Sequence, residues 1–250
     1  MLSWNQPSAF AVQHRFDRLF YLGFAVVAWA VVIIGFGPGL VDRLQGRLPP
    51  PPLILHAHAA AFTGWLALFT TQTLLIRAHR TDVHKKLGTI GAALAVAMVY
   101  LGIATALAVH RERFEAGHGE RISFLIVQIM GMVIFGTCVT LALFLRRNPS
   151  AHKRLMVLAT VELLGAGFGR SLGRVLMKQF GSGLIGFPLA LFAGGYALIV
   201  LAMLYDLWTR RRVHPVYLIG LPAMMAAHLV MSVIFHHPSW PPVVRTLIGH

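Results

Sequence analysis

The sequence predicts an all-α protein: a polytopic membrane bundle of seven transmembrane helices with repeated hairpins. Hydrophobic residues make up 57% of the chain and charged residues only 12%, with a mean hydropathy of +0.70. Soluble domains carry roughly 25% charged residues, so this composition is typical of a membrane protein. Several windows free of Asp, Glu, Lys and Arg also exceed the ~20 residues that cross a bilayer.

Six of the seven spans follow from these charge-free windows. They are predicted near residues 19–41, 53–76, 87–110, 122–145, 185–206 and 216–236. A further span is predicted near 155–178, although it carries Glu162, Arg170 and Arg174, because otherwise the helices before and after it would end on inconsistent sides. We therefore expect residues 1–250 to form a single transmembrane domain.

The short loops between spans predict the orientation. More than half of the 22 Lys and Arg residues fall on the side of the N-terminus, and cationic loops prefer the cytoplasm. We expect a cytoplasmic N-terminus and a C-terminus on the opposite side of the membrane. The formal charge of +14 is spread over many loops, which indicates contact with the anionic surface of the lipid bilayer and not with nucleic acid.

A repeated motif links two of the hairpins. "RAHRTDVHKKLG" (Arg77 to Gly88) has a near-copy in "RRNPSAHKRLM" (Arg146 to Met156), and each lies between two long apolar runs. Copies in one orientation imply a pseudo-symmetry axis along the membrane normal, which makes His84 and His152 equivalent. Symmetry could bring the two rings face to face, as a bis-histidine haem requires. Alternatively, both motifs are ordinary cytoplasmic interface anchors.

The segment "LHAHAAAFTGWLALFTTQTLLIRAHRTDVHKKLG" and the later "HKRLM" resemble a group of small bacterial multi-pass membrane proteins, some of which are linked to cytochrome c oxidase assembly. The resemblance covers about Leu55 to Met156. It implies a histidine-bearing helical bundle in the inner membrane, near respiratory haem or copper chemistry. The matching positions are His56, His84 and His152.

Other histidines are candidate metal ligands, because imidazole binds zinc, copper and iron and ionisable groups within membranes are often functional. This set comprises His56, His58, His110 and His228. Met225 and Met231 each lie three residues from His228, an arrangement that would suit Cu(I) but is also common in plain helix packing.

Helical spacing places His58 on one stripe of the second span with Phe62, Trp65, Phe69 and Gln72. Such a stripe could line a flat cofactor or a quinone. It could equally be a tightly packed helix interface with polar residues that hydrogen-bond between helices.

Charges in the fifth span should face the bundle interior, a polar cavity or each other. Arg170 and Arg174 could pair with haem propionates or extend outward to the membrane surface. A proton-relay role would fit Glu162.

These features favour a membrane redox or cofactor-handling protein that binds haem b or copper and serves a respiratory or photosynthetic complex. Its predicted cofactor-binding residues are His84, His152, His58, Arg170, Arg174 and Glu162. One alternative is a transporter of a small substrate or of protons that uses Glu162 and Arg170. Another is an accessory subunit of a larger complex with no chemistry of its own, and the sequence leaves open whether the protein is an enzyme.

Overall fold

The protein is an all-α polytopic helical bundle. The computed structural model describes residues 10, 13–48 and 50–250, so parts of the predicted domain 1–250, at 1–9, 11–12 and 49, lie outside the described residues. The helices are α1 (Asp17–Leu44), α2 (Leu53–Arg77), α3 (Thr81–Glu115), α4 (Leu125–Phe144), α5 (Pro149–Arg170), α6 (Leu172–Phe180), α7 (Gly186–Arg210), α8 (Pro215–His236) and α9 (Trp240–Leu247).

Six of these helices are long and apolar enough to cross a membrane, and α5 with α6 makes up to seven if the bent pair counts as one span. Many large apolar side chains on their outer faces are exposed, such as Ile33, Val96 and Ile219. Exposed apolar surface of this extent is the expected contact with lipid. We call the side where α1 begins the first side and the opposite side the far side.

The fifth span differs from its prediction. A continuous helix over 155–178 was expected, but α5 ends at Arg170 and α6 leaves at an angle of 72°. Ser171 lies at the break with a non-helical ψ of −86°, and its hydroxyl donates to the carbonyl oxygen of Gly167. A serine hydroxyl that bonds the preceding turn competes with the helical pattern, so Arg174 lies on a separate short helix and not on the helix that carries Glu162.

Three smaller differences concern a helix end, a loop and the C-terminal segment. Helix α3 continues to Glu115, past the predicted end at residue 110, where charged residues can extend a helix beyond the bilayer core. The predicted loop between spans three and four also contains a 3₁₀ turn, Gly119–Phe124. The short helix α9 was not predicted, and its Val244 packs with Ala106 and Leu125.

Helix α5 lies at the centre of the bundle. It packs against α1, α4, α7 and α8, and residues on most of its circumference are buried. Helices α2 and α3 form one hairpin and α4 and α5 the next, as the repeat predicts. A helix buried all round must place any polar side chain against a partner, and this constraint positions the functional groups.

Glycines allow α5 to approach its neighbours closely. A Cβ atom at Gly35 of α1 would lie 2.6 Å from the carbonyl oxygen of Gly167, and one at Gly165 would lie 2.9 Å from the ring of Phe192. Small residues at crossing points let helix backbones meet within a membrane. By contrast, a Cβ atom at Gly37, on the same helix as Gly35, would meet no heavy atom within 4 Å.

We expect Gly35→Ala to destabilise the bundle by about 1–3 kcal/mol, because the added methyl group forces α1 away from α5. Gly37→Ala is the matched control, and it should leave stability unchanged or slightly raised, since alanine is the better helix former. Thermal unfolding in mild detergent measures both. Equal melting temperatures for the two variants would contradict the close approach.

Candidate functional site

One cluster of buried polar side chains lies at mid-depth in the bundle. Glu162 of α5 lies against His228 of α8, with the ring Nε2 3.2 Å from Oε2 and 3.3 Å from Oε1. On the other side of the ring, Nδ1 lies 2.8 Å from the hydroxyl of Tyr196 on α7. We call Glu162, His228 and Tyr196 the central triad.

Neighbouring residues on α7 and α4 shape the site of the central triad. The ring of Phe192, one turn before Tyr196 on α7, stacks on His228 with centroids 3.6 Å apart and an interplanar angle of 5°. On α4, Gly131 leaves room for the carboxylate, since a Cβ there would lie 3.4 Å from Oε1 of Glu162. The Glu162 and His228 side chains are only 1% and 2% exposed, so the pair exchanges hydrogen bonds with protein groups and not with bulk solvent.

The triad's geometry permits two protonation states. In the first state, Nδ1–H of the neutral His228 ring donates a hydrogen bond to the Tyr196 oxygen, and Nε2 accepts a hydrogen bond from protonated Glu162. In the second state, the Tyr196 hydroxyl donates a hydrogen bond to Nδ1, and Nε2–H of the neutral His228 ring donates to ionised Glu162. The two arrangements differ by one proton on the carboxyl group, so the same contacts can accommodate a proton that arrives or leaves.

A second polar cluster lies at the first side, where α1, α5 and α7 meet. We call it the ion network: Asp17, Lys153, Arg154, Asp206 and Arg210. Arg154 forms a bidentate pair with Asp206 and donates to the backbone and side chain of Ser150 at 2.8 Å. Asp17 accepts from Lys153 and Arg210, each at 2.7 Å, and from the Tyr205 hydroxyl at 2.6 Å.

The ion network is structural in character. Arg154 is 0% exposed, and a guanidinium in that position is tolerated only when its donors are paired. His214, between α7 and α8, contacts the same cluster through its backbone N–H, 3.4 Å from Asp206. Burial, reinforced by the positive charge of Arg154, lowers the pKa of His214 to about 4. The neutral Nδ1 then accepts from the Val216 N–H and caps α8.

His84 and His152 lie close together at the first side. Their ring centroids are 6.4 Å apart and their planes nearly perpendicular, at 87°. Nδ1 of His152 lies 2.8 Å from the carbonyl oxygen of Ala142, so Nδ1–H donates there, and in a neutral ring Nε2 carries the lone pair. Nδ1 of His84 is buried without a hydrogen-bond partner.

The remaining candidate ligands are dispersed. His56 is exposed, His58 stacks on Phe62 with centroids 4.0 Å apart, and His110 hydrogen-bonds to Ala106 of its own helix. Among the residues described, no group of three or more His, Cys, Asp or Glu side chains could hold a metal ion. The set His56, His58, His110 and His228 therefore does not meet in one place.

The thioether arrangement proposed around His228 is also not formed. Met231 is fully buried, but Met225 is 47% exposed and lies on the outer surface of α8. At about 100° per residue, positions three before and three after His228 lie about 60° to either side of it and about 120° from each other. Here only Met231 faces the interior with His228.

The stripe below His58 is a helix interface. Trp65 packs edge-on against Phe135 and its Nε1 donates to Thr160 at 3.3 Å. Phe69 packs against Phe24. Gln72 donates to the backbone carbonyl of His84, so these side chains join α2 to its neighbours.

Arg170 lies apart from Glu162. Its guanidinium stacks over Phe36 at 4.3 Å and donates to the carbonyl of Ala166. Arg174 is exposed on α6 and donates to the carbonyl of Arg170. The partner of Glu162 is His228, which the sequence had predicted to be a metal ligand.

Comparisons of this chain with protein-family models, with curated proteins and with solved structures give no match.

We expect Asp206→Asn to cost about 3–5 kcal/mol of stability, because it leaves the buried Arg154 without its counter-charge. Asp82→Asn is the control, since the Arg80–Asp82 pair is exposed and such pairs contribute about 1 kcal/mol or less. Thermal unfolding in detergent separates the two. A small, equal effect in both variants would contradict the structural role of the ion network.

Proposed function

We propose that this protein passes protons within the membrane, as a proton carrier or proton-coupled transporter, with Glu162 and His228 as the proton-binding pair. The observation that carries the proposal is the contact of His228 Nε2 with both carboxylate oxygens of Glu162 at mid-depth. An ionisable pair at that depth is costly to bury, and in membrane proteins such groups mark proton relays and ion pathways.

The cost of burial argues against a purely structural pair. An isolated buried charge costs several kcal/mol, and a well-packed apolar pair of similar volume is often as stable as an ion pair. The ion network already ties α5 to α7 near the surface. A second polar contact deeper in the bundle is therefore best explained by proton exchange.

Tyr196 supports the same role. Its hydroxyl can donate to or accept from Nδ1 of His228, so the ring can change tautomer without losing a hydrogen bond. Phe192, stacked on the ring, keeps its plane fixed while this happens. A proton can thus move between Glu162 and His228 with little rearrangement of heavy atoms.

Orientation and setting belong to the same proposal. Loop cations at the first side, including Arg77, Lys85 and Arg146, favour a cytoplasmic first side under the positive-inside rule. The far side would then face the periplasm of a bacterial inner membrane. The resemblance of Leu55 to Met156 to proteins linked with cytochrome c oxidase assembly supports a partner among respiratory complexes.

We expect Glu162→Gln to lower proton flux about tenfold or more, because glutamine keeps the shape and hydrogen bonds of the side chain but cannot take up a proton. The measurement uses purified protein in liposomes with a pH-sensitive dye inside. Flux is started by imposing a membrane potential with potassium and valinomycin.

Glu115→Gln is the matched control, because Glu115 lies exposed at the end of α3 and pairs with Arg111. Its flux should equal that of the parent protein. Gel filtration in detergent establishes that each variant is folded. No flux from the folded parent protein, or equal flux from Glu162→Gln, would overturn the proposal.

A second candidate function rests on His84 and His152. Metal–imidazole bonds are about 2.0 Å long, so two rings whose centroids lie 6.4 Å apart are within reach of one shared metal ion. The free lone pair on His152 and the unpartnered nitrogen of His84 supply the donor chemistry. We propose a copper ion or haem b as the group this pair would bind.

If a metal or haem binds there, His84→Ala and His152→Ala should each remove the same absorption species or the same equivalent of metal. His118→Ala, exposed at the far side, should leave it unchanged. Absorption spectra and elemental analysis of the purified protein make the measurement. Absence of a Soret band together with no stoichiometric copper or iron would exclude this function.

A further inference from the structure

We propose that α2, α3 and α4 bind one water molecule between them, in the half of the bundle nearer the far side, through His58, Thr105 and Gln128. This site is separate from the central triad and does not depend on the proposed function. It follows from three buried polar atoms and from the register of the three helices that carry them.

The first observation is that the three polar atoms have no protein partner. Nδ1 of His58, Oγ1 of Thr105 and Oε1 of Gln128 are buried, and none makes a hydrogen bond to any residue that the structure describes. Thr105 is only 5% exposed. Its hydroxyl also lacks the bond to the carbonyl four residues earlier that Thr73 and Thr160 make. Buried polar groups are nearly always paired with protein or with water.

The second observation is a contact that fixes the level of the three helices. A Cβ atom at Gly102 would contact Sδ of Met132 and lie 3.6 Å from Cζ of Phe62. Helices α2 and α4 begin at the far side and α3 ends there. One turn toward the far side is therefore four residues earlier on α2 and α4 and three later on α3. Those positions are His58, Gln128 and Thr105.

The third observation gives the faces on which these side chains lie. Trp65 of α2 packs against Phe135 of α4, with ring centroids 4.9 Å apart. His58 and Gln128 each precede this pair by seven residues, which is about two turns, so they project from the same faces about 10 Å nearer the far side. The His58 ring also lies beside the backbone of Leu101 on α3. The three unpaired atoms therefore face the junction of α2, α3 and α4.

Water matches the hydrogen-bonding chemistry of this junction. Oε1 of Gln128 only accepts, the Thr105 hydroxyl can donate, and Nδ1 of His58 accepts or donates according to its tautomer. A buried water typically makes about three hydrogen bonds to groups that are otherwise unpaired. It accepts here from Thr105 and donates to Gln128 and His58. One imidazole with two neutral oxygens is a poor ligand set for copper or zinc.

The site lies close to the level of the central triad. Gly131, three residues after Gln128 on α4, is the residue whose added Cβ would lie 3.4 Å from Oε1 of Glu162. The water is therefore about one turn nearer the far side than this carboxylate. It lies within the membrane spans, where lipid offers no partner to a polar group.

The sign of a stability change tests the water site. Thr105→Val removes one hydrogen bond of the bridging water and should lower the melting temperature in mild detergent by about 2–4 °C. If the hydroxyl is unpaired, the same change of similar shape removes a buried polar group without a partner, and the melting temperature should rise. A rise, or no change, would overturn the site. Thr71→Val, on the exposed face of α2, is the control and should leave the melting temperature unchanged.

A double variant tests whether one water joins the side chains. Gln128→Leu should also lower the melting temperature. Thr105→Val combined with Gln128→Leu should lower it by less than the sum of the single shifts, because the second change finds the water already lost. Additive shifts would mean that no shared water joins Thr105 and Gln128.

Radiolytic labelling of the parent protein needs no variant. Hydroxyl radicals formed from bound water by an X-ray pulse oxidise the side chains next to it, and methionine is readily converted to its sulfoxide. In water enriched in oxygen-18, Met132 should take up the label although it is 8% exposed. Met98, fully buried on α3, is the control and should stay unlabelled. An unlabelled Met132 would contradict a bound water.

A cation is the alternative occupant. A bound ion stabilises the folded state in proportion to its concentration, whereas water does not. The melting temperature should therefore be the same in sodium chloride and in choline chloride. A rise with sodium that disappears in Thr105→Val would assign the site to a cation and overturn the water.

Discussion

Helix α5 has to bury two ionised or ionisable side chains at two depths while packed on all sides, and the rest of the bundle is arranged around that constraint. Arg154 near its start draws in Asp206 from α7. Glu162, two turns later, draws in His228 from α8. Each neighbouring helix supplies either a counter-charge or a glycine that lets it approach, and both are consequences of the same crowding.

The fold class could be predicted from the sequence because composition and the length of charge-free windows reflect the bilayer that the helices cross, more than the contacts between helices. Helix α5 shows the limit of that approach. The alternation of sides predicted this span despite its charges, but not the break at Ser171, because a bend depends on local hydrogen bonds such as the one from Ser171 to Gly167. The short helix α9 carries no span signal, and its apolar residues are ordered by packing on the 3₁₀ turn.

The candidate site could be predicted only in part. Glu162 was identified because an acidic residue within a span is costly. The repeat makes His84 and His152 equivalent, and their rings do lie near each other, although edge-on and not face to face. The pairing of Glu162 with His228 could not be found, since it depends on which helices are neighbours around α5. The sequence analysis did not single out Asp17 and Asp206. A lone acidic residue beside basic residues at the end of a span is a signal of a buried counter-charge.

Between the two polar levels of α5 lies an apolar layer of Val157, Leu158 and Ala159, all nearly fully buried. Arg154 and Glu162 are eight residues apart, which is about 12 Å along the helix. This layer is an electrical insulator. Moving one elementary charge across the full membrane is worth about 2.3 kcal/mol per 100 mV, so a charge halfway down at Glu162 feels roughly 1 kcal/mol of it. The central triad therefore lies within the transmembrane voltage, whereas the ion network near the first surface lies largely outside it.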